Sequence, residues 1–291
     1  MKRLSLLLTL LLICISRLHA AEPLEEFPGC KWVPTPWGDG DSFQIRTADG
    51  TTKTIRLYGA DCIEQHVNDN TDATRLAAQR RYFGISEWGG SAQSSIAAAK
   101  DLGRQATEET GRLLARPFTV HTAHANARGD SRYPRVYAFV TTAEGVDLAE
   151  HLVRAGLARA FGVTREMATG KSGKDYQAGL HDAELVAAKA GIGVWAKTDW
   201  QRLSQERQLQ RQHDEELGMA THPKPAKGIP LDPNTAARAD LMKIPGIGEV
   251  TADRIIRGRP YRKLTDLLKV EGIGPKSLER FESYLHIPAA N

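Results

Sequence analysis

From Ser42 to Thr47, and again from Lys53 to Leu57, apolar and polar side chains alternate, with Phe43 and Ile45, then Ile55 and Leu57, on one face. Period-two alternation marks a half-buried strand, and the Asp49-Gly50 pair between the runs predicts a hairpin turn. Phe118 to Thr122 and Val136 to Thr141 read as two more strands. Ala97 to Ala115, Val146 to Ala155 and Asp175 to Ala190 read as helices, and Gly156 and Gly191 directly follow the last two, where helix stops belong. Cys30 to Trp200 is therefore expected to form one mixed domain.

Beyond it the pattern changes. Gln201 to Leu217 is rich in Gln, Arg and Glu and reads as a solvated helical extension, while Thr221 to Pro230 contains three prolines and reads as a linker. Leu231 to Leu285 reads as a small helical unit with an internal repeat. "IPGIGEVTADRII" and "VEGIGPKSLERF" each put Gly-Ile-Gly before a helix, 26 residues apart from Gly246 to Gly272.

The first twenty residues change how charge and cysteine are read. Lys2 and Arg3 precede an apolar stretch, Leu4 to Ile15, and Leu18-His19-Ala20 ends in a small residue. That is the build of a cleaved export leader, with an apolar run too short to span a bilayer. Ile13 before Cys14 is too bulky for a lipid-anchor signal, and no later run is long enough for a membrane helix. Without Lys2, Arg3 and Arg17 the formal charge falls from +4 to +1, too weak to argue nucleic-acid binding from bulk charge. Cys30 and Cys62 remain. In an oxidising compartment an even pair suggests one disulfide, with two buried thiols as the alternative.

The candidate chemistry lies around the first hairpin. Asp39 and Asp41 share one side of an extended chain, Asp61 and Glu64 follow the second strand, and the hairpin can bring all four to one end of a sheet. Left bare, such a cluster raises its own pKa values. A hard cation with oxygen ligands relieves this, Ca²⁺ being the expected ion in an exported protein, whereas solvated loop acids are the plainer reading. Arg56, on the polar side of the second strand, suits an anionic substrate because its planar fork holds two phosphate oxygens. A salt bridge to one of the acids is the alternative.

"DGDS…IRLYGADCIE" resembles the signature of the staphylococcal nuclease family, with matching spacing from Arg56 to Asp61 and Glu64. "RYPRVYAFV" resembles its second arginine motif, with Arg135 on the catalytic arginine, and "LAEHLVRAGLARA" and "AKAGIGVWA" resemble its closing helices. The resemblance implies an α+β fold, a five-stranded oligonucleotide-binding barrel with three helices, and Ca²⁺-dependent hydrolysis of phosphodiesters in DNA and/or RNA. It implies that Asp41, Asp61 and the backbone carbonyl of Cys62 hold Ca²⁺ with Asp39 nearby. Glu64 would be the general base, and Arg56 and Arg135 would clamp the phosphate. Tyr133 matches a tyrosine near the substrate phosphate. The tyrosine pair beside the nucleotide appears as Phe161 and Val163, which keeps one stacking surface. The family's Thr-Pro is Cys62-Ile63 here, and the glycine before the second arginine is Pro134. These departures bear on substrate preference. The segment His66 to Ile96 is longer than the family leads one to expect; its Arg75, Arg80, Arg81, Tyr82, Phe83 and Trp88 either touch a nucleic-acid strand or form an ordinary surface loop.

The repeat resembles the tandem helix-hairpin-helix motifs of competence DNA receptors, which hold the DNA backbone without reading sequence. Gly246, Gly248, Gly272 and Gly274 would open backbone N–H groups to phosphate, with Lys243, Arg254, Arg257 and Lys276 as candidate partners. Ten basic and eight acidic residues from Pro230 onward leave a modest +2. A helical module that binds protein or simply packs is the alternative. Three weaker signals have plainer readings: Gly170-Lys171-Ser172 reads as a polar loop, His121 and His124 are too sparse for zinc, and Glu108 and Glu109 read as a solvated face.

The expected organisation is a leader (1–20), a nuclease-like barrel domain (30–200), a polar extension and linker (201–230) and a small all-α helix-hairpin-helix domain (231–287). The expected protein is a monomeric, exported nuclease with a DNA-binding tail, periplasmic or extracellular and without a membrane anchor. A non-catalytic DNA-binding receptor or scaffold is the competing expectation.

Overall fold

Alternation along the first hairpin is realised as a buried seam: Phe43, Ile45, Ile55 and Leu57 all lie in the core of a five-stranded barrel. The structure, a computed structural model, describes residues 23–127, 134–221 and 230–288. The leader, Tyr133 and most of the proline-containing linker fall outside the described residues.

The barrel strands are β1 (Glu25–Val33), β2 (Ser42–Arg46), β3 (Thr52–Leu57), β5 (Phe118–Thr122) and β6 (Arg135–Thr141), closed in the order β1-β2-β3-β6-β5. The β3–β6 pairing is parallel and the others are antiparallel. Two short strands, β4 (Ala60–Cys62) and β7 (Ala158–Ala160), pair beside the barrel. Helices α2 (Ala92–Leu113), α3 (Leu148–Arg154) and α4 (Gly173–Ala190) are the three expected from periodicity. Gly191 ends α4 in the left-handed conformation, at φ 61°, and Ser172 caps its start, accepting from Asp175 N. Gly170-Lys171-Ser172 is thus a helix entry.

The segment His66 to Ile96 is not a loop. It holds α1 (Asn70–Phe83), capped by the Asp69 carboxylate and ended by Gly84 at φ 66°. Its Leu76 and Phe83 are buried with Ile63, Leu102 and Trp195 in a second apolar cluster. Helix α5 (Leu203–Thr221) follows the domain.

The two cysteines are buried and free, which corrects the disulfide expectation. Cys30 Sγ donates to Phe27 O at 3.3 Å, and burial, then Asp49, pushes its thiol up to about 11. Glu109 is no solvated acid either. It accepts two bonds from Arg112 and lies 2.7 Å from His151 Nε2, tying α2 to α3.

The chain divides at residues 206/207 into two units. In the second, α6 (Arg238–Leu241), α7 (Glu249–Arg257) and α8 (Pro275–Phe281) enclose a core that includes Leu241, Ile255, Leu278 and Phe281. The sequence repeat is a structural repeat. Gly246 and Gly272 sit at φ 97° and 91°, Ile247 and Ile273 are buried, and Gly248 and Gly274 are the N-caps of α7 and α8. Only glycine takes such φ values without strain, which explains the first glycine of each pair. Leu231 N donates to Tyr284 O and His286 N to Leu231 O, closing the ends of this unit on each other. Among the described residues no helix is long and apolar enough to cross a membrane.

Candidate active site

The β2–β3 register sets Ser42 directly opposite Arg56, and the parallel β3–β6 register sets Arg135 beside Thr54, two residues from Arg56 on the same face. Both guanidiniums therefore reach one hydroxyl: Ser42 Oγ accepts from Arg56 Nη1 at 3.1 Å and from Arg135 Nη1 at 3.2 Å. Two arginines held side by side by a neutral acceptor form a cradle for an anion with several oxygens.

Asp41 enters from the turn before β2. Its main chain accepts from Leu57 N at 2.8 Å, and Asp39 and Ser42 exchange backbone bonds at 2.7 and 3.3 Å. Helix α2 supports this turn. Thr110 Oγ1 donates to Gly40 O at 2.8 Å, and a Cβ on Gly40 would lie 2.9 Å from the Ala106 backbone. Nothing larger than glycine fits there without moving α2.

Arg56 joins the two acidic segments. Its side chain, 16% exposed, lies 3.3 Å from Asp41 Oδ1 and donates to Asp61 Oδ1 at 2.6 Å. The salt-bridge alternative for Arg56 is therefore realised, with both acidic segments. Asp41 Oδ2 also accepts from Cys62 N at 2.6 Å. Glu64 is buried and ion-paired with Arg75 of α1. Asp39, Asp41, Asp61, Cys62, Glu64, Arg56 and Arg135 thus gather at one end of the barrel; for the four acids the hairpin spacing led us to expect it.

Three further residues take part that sequence reasoning did not place there. Arg159 on β7 donates through Nε to Asp61 Oδ2 at 2.7 Å. Gln79 of α1 donates to Asp61 Oδ2 at 3.0 Å and to Cys62 O at 2.8 Å, and accepts from Glu64 N at 2.9 Å. Arg75 holds Glu64. The spacing of Arg75 and Gln79, one helical turn apart, is a sequence signal that could have flagged a shared face.

The electrostatics follow this layout. Burial, then the charges of Asp41 and Glu64, pushes Asp39 up to about 8, and its Oδ1 is buried without a hydrogen-bond partner. Burial raises Asp41 against the pull of Arg56, and raises Glu64 against that of Arg75. At Asp61 burial acts upward too, but Arg159 and Arg56 overcome it and hold this carboxyl below its ordinary value. Arg56 is driven well above the usual arginine value, chiefly by Asp41.

The donors suit a hard cation in type: carboxylate oxygens, a backbone carbonyl, and at Asp39 Oδ1 a buried acceptor without a hydrogen-bond partner. They are not assembled as a cage. Among the described residues no three acidic, histidine or cysteine side chains converge at ligating distance, and both oxygens of Asp61 are taken by arginine or glutamine.

Phe161 is 53% exposed, with the Arg159 guanidinium 4.0 Å from its ring centroid, and Val163 is exposed nearby in sequence. In the second unit Lys243 is paired with Asp240, and Arg254 with Glu271 and its carbonyl. Lys276 and Arg257 are exposed. Arg254 is thereby committed to bridging the two repeats, whereas Lys276 stands beside the second glycine pair.

The first unit is thus a five-stranded barrel with paired arginines beside buried carboxylates, and the second carries two glycine-capped hairpins. Residues 54–197 match the family described as staphylococcal nuclease homologue, and residues 227–286 match the helix-hairpin-helix motif. The chain carries a staphylococcal nuclease domain followed by a helix-hairpin-helix motif, in that order. The first match covers Arg56, Asp61, Glu64, Arg135 and Phe161 but starts after Asp39 and Asp41. No curated protein matches the chain.

Proposed function

We propose that this protein is an exported nuclease that hydrolyses phosphodiester bonds of DNA and/or RNA with Ca²⁺, and that its helix-hairpin-helix unit holds the polymer. The observation that carries this is the joining of Arg56 and Arg135 through Ser42, with Arg56 also paired to Asp41 and Asp61.

Asp41, Asp61 and the carbonyl of Cys62, with Asp39 close by, are the residues that would hold Ca²⁺. A bound Ca²⁺ supplies positive charge at the phosphate and an ordered water. Arg56 and Arg135 bind two non-bridging phosphate oxygens and meet the charge that grows on them during attack. Removing one such contact costs about 2.7–4 kcal/mol of barrier, by analogy with oxyanion donors. Glu64 accepts the proton of the attacking water through a carboxylate oxygen. Phe161 offers a face for a base to stack on. The helix-hairpin-helix unit, through the turns at Gly246–Gly248 and Gly272–Gly274 with Lys243 and Lys276, raises the local concentration of polymer at the barrel. Export to a periplasm or the cell exterior rests on the leader pattern of Lys2, Arg3 and Leu4 to Ile15.

A second reading, a DNA-binding receptor without catalysis, draws on the saturation of Asp61 by Arg56, Arg159 and Gln79. Incubation of the full chain with single-stranded DNA, double-stranded DNA and RNA, in Ca²⁺ and in chelator, separates the two. Cleavage that requires Ca²⁺ is expected. Binding with no cleavage on any substrate sinks the nuclease reading and leaves the receptor.

A further inference from the structure

Helix α1 lies in the segment between Glu64 and α2, and one of its faces enters the site. Gln79 is fully buried and uses both ends of its amide: Nε2 on Asp61 Oδ2 and Cys62 O, Oε1 on Glu64 N. The reverse orientation would set its carbonyl against two acceptors and its NH₂ against a donor, so the surroundings fix the amide. Burying an amide is costly unless it is hydrogen-bonded, and here both ends of the amide are satisfied by the segment that carries Asp61, Cys62 and Glu64. One turn earlier, Arg75 reaches the Glu64 carboxylate from the solvent side, its own side chain 35% exposed.

The helix is also docked by residues that do not touch the site. Leu76 and Phe83 bury it, Arg80 donates to Ser95 Oγ at 2.7 Å and to Ser86 O at 2.7 Å, and Tyr82 donates to Glu184 at 2.7 Å.

We propose that Gln79 and Arg75 are positioning residues for the reaction. Gln79 fixes the main chain that carries the Cys62 carbonyl and Glu64, and Arg75 fixes the direction of the Glu64 carboxylate. This rests on the nuclease reading of the same site. It makes α1 a working part of the barrel's chemistry, not an ornament on its surface.

The test uses the full chain with Arg75→Met, Arg75→Lys, Gln79→Met and Glu64→Gln. It measures kcat and KM on a polynucleotide, Ca²⁺ affinity by calorimetry without substrate, and thermal midpoints. Arg75→Met and Gln79→Met are expected to lower kcat about 10–100-fold, as loss of an orienting partner does, with KM within about threefold. Arg75→Lys, which keeps the ion pair, recovers most of the rate, and Gln79→Met also weakens Ca²⁺ binding. Unchanged kcat in Arg75→Met overturns the proposal even if Gln79→Met fails to fold. A rise in KM alone overturns it as well, by making Arg75 a substrate contact. If Glu64→Gln is inactive while both α1 variants keep wild-type kcat, the positioning claim falls and the nuclease reading stands. If Glu64→Gln retains full activity, the nuclease assignment of Glu64 itself has failed.

Discussion

Asp61 and Arg159 face each other across the β4–β7 pair, and Arg159 Nε donates to Asp61 Oδ2 at 2.7 Å. The same guanidinium lies 4.0 Å from the Phe161 ring centroid and 5.1 Å from that of Tyr82. A carboxylate expected to serve a cation therefore already carries a charge partner, set between two aromatic rings. Arg56 supplies a second on its other oxygen.

Removing Arg159 should expose what that pairing does. Breaking a buried pair leaves an uncompensated charge, so Arg159→Met is expected to lower the unfolding free energy by roughly 3 kcal/mol. Saturating Ca²⁺ should restore part of the loss by supplying the missing charge. Urea unfolding with and without Ca²⁺ reads both effects, and an equal loss in the two conditions would argue that Asp61 does not hold the ion.

The thiols give a prediction opposite to the disulfide expectation. Burial holds the Cys30 thiol up near 11 and raises that of Cys62 well above its ordinary value, so neither forms thiolate at neutral pH. A thiol reagent should leave both untouched in the folded protein and label both after denaturation without reductant.

Glu109 sets an acid limit. Arg112 first, then His151, holds its carboxyl down near 2 against an ordinary value of 4.5. A depressed carboxyl contributes stability above about 4.5 that is lost as the pH falls toward 2. Arg112→Ala should therefore raise the Glu109 titration midpoint, followed by NMR, and shift acid unfolding to higher pH.

In the tail, Lys276 is exposed beside the Gly272–Gly274 turn. If it contacts phosphate, Lys276→Glu should weaken binding uniformly across DNA sequences and lower the salt dependence by about one phosphate contact. Fluorescence anisotropy across a salt series on several duplexes measures this; a loss confined to one sequence would contradict backbone contact.

How far the sequence foretold the site depends on the residue. Asp41, Asp61, Glu64 and Arg56 were legible because a hairpin with a clear period-two pattern fixes which side chains oppose one another, and Ser42 opposite Arg56 follows from that register. Arg159 was not. β4 and β7 are three residues each, rich in alanine, and 98 residues separate Asp61 from Arg159. No local periodicity encodes so distant a pairing. β1 was not read as a strand at all; its register shifts between Phe27 and Cys30, which breaks the alternation. Helix α1 hid for a related reason. Its buried side includes Gln79 and Arg80, so polar residues stand where periodicity looks for apolar ones. Of the two, Gln79 was the trace of the site.

The most direct measurement is the cleavage rate of the full chain against Glu64→Gln in Ca²⁺, with circular dichroism to verify that both are folded. General-base catalysis predicts a loss of about 10²–10⁴-fold for the variant, with the fold unchanged. A Glu64→Gln protein that cleaves at the wild-type rate, or a folded wild type that cleaves neither DNA nor RNA, would contradict the account.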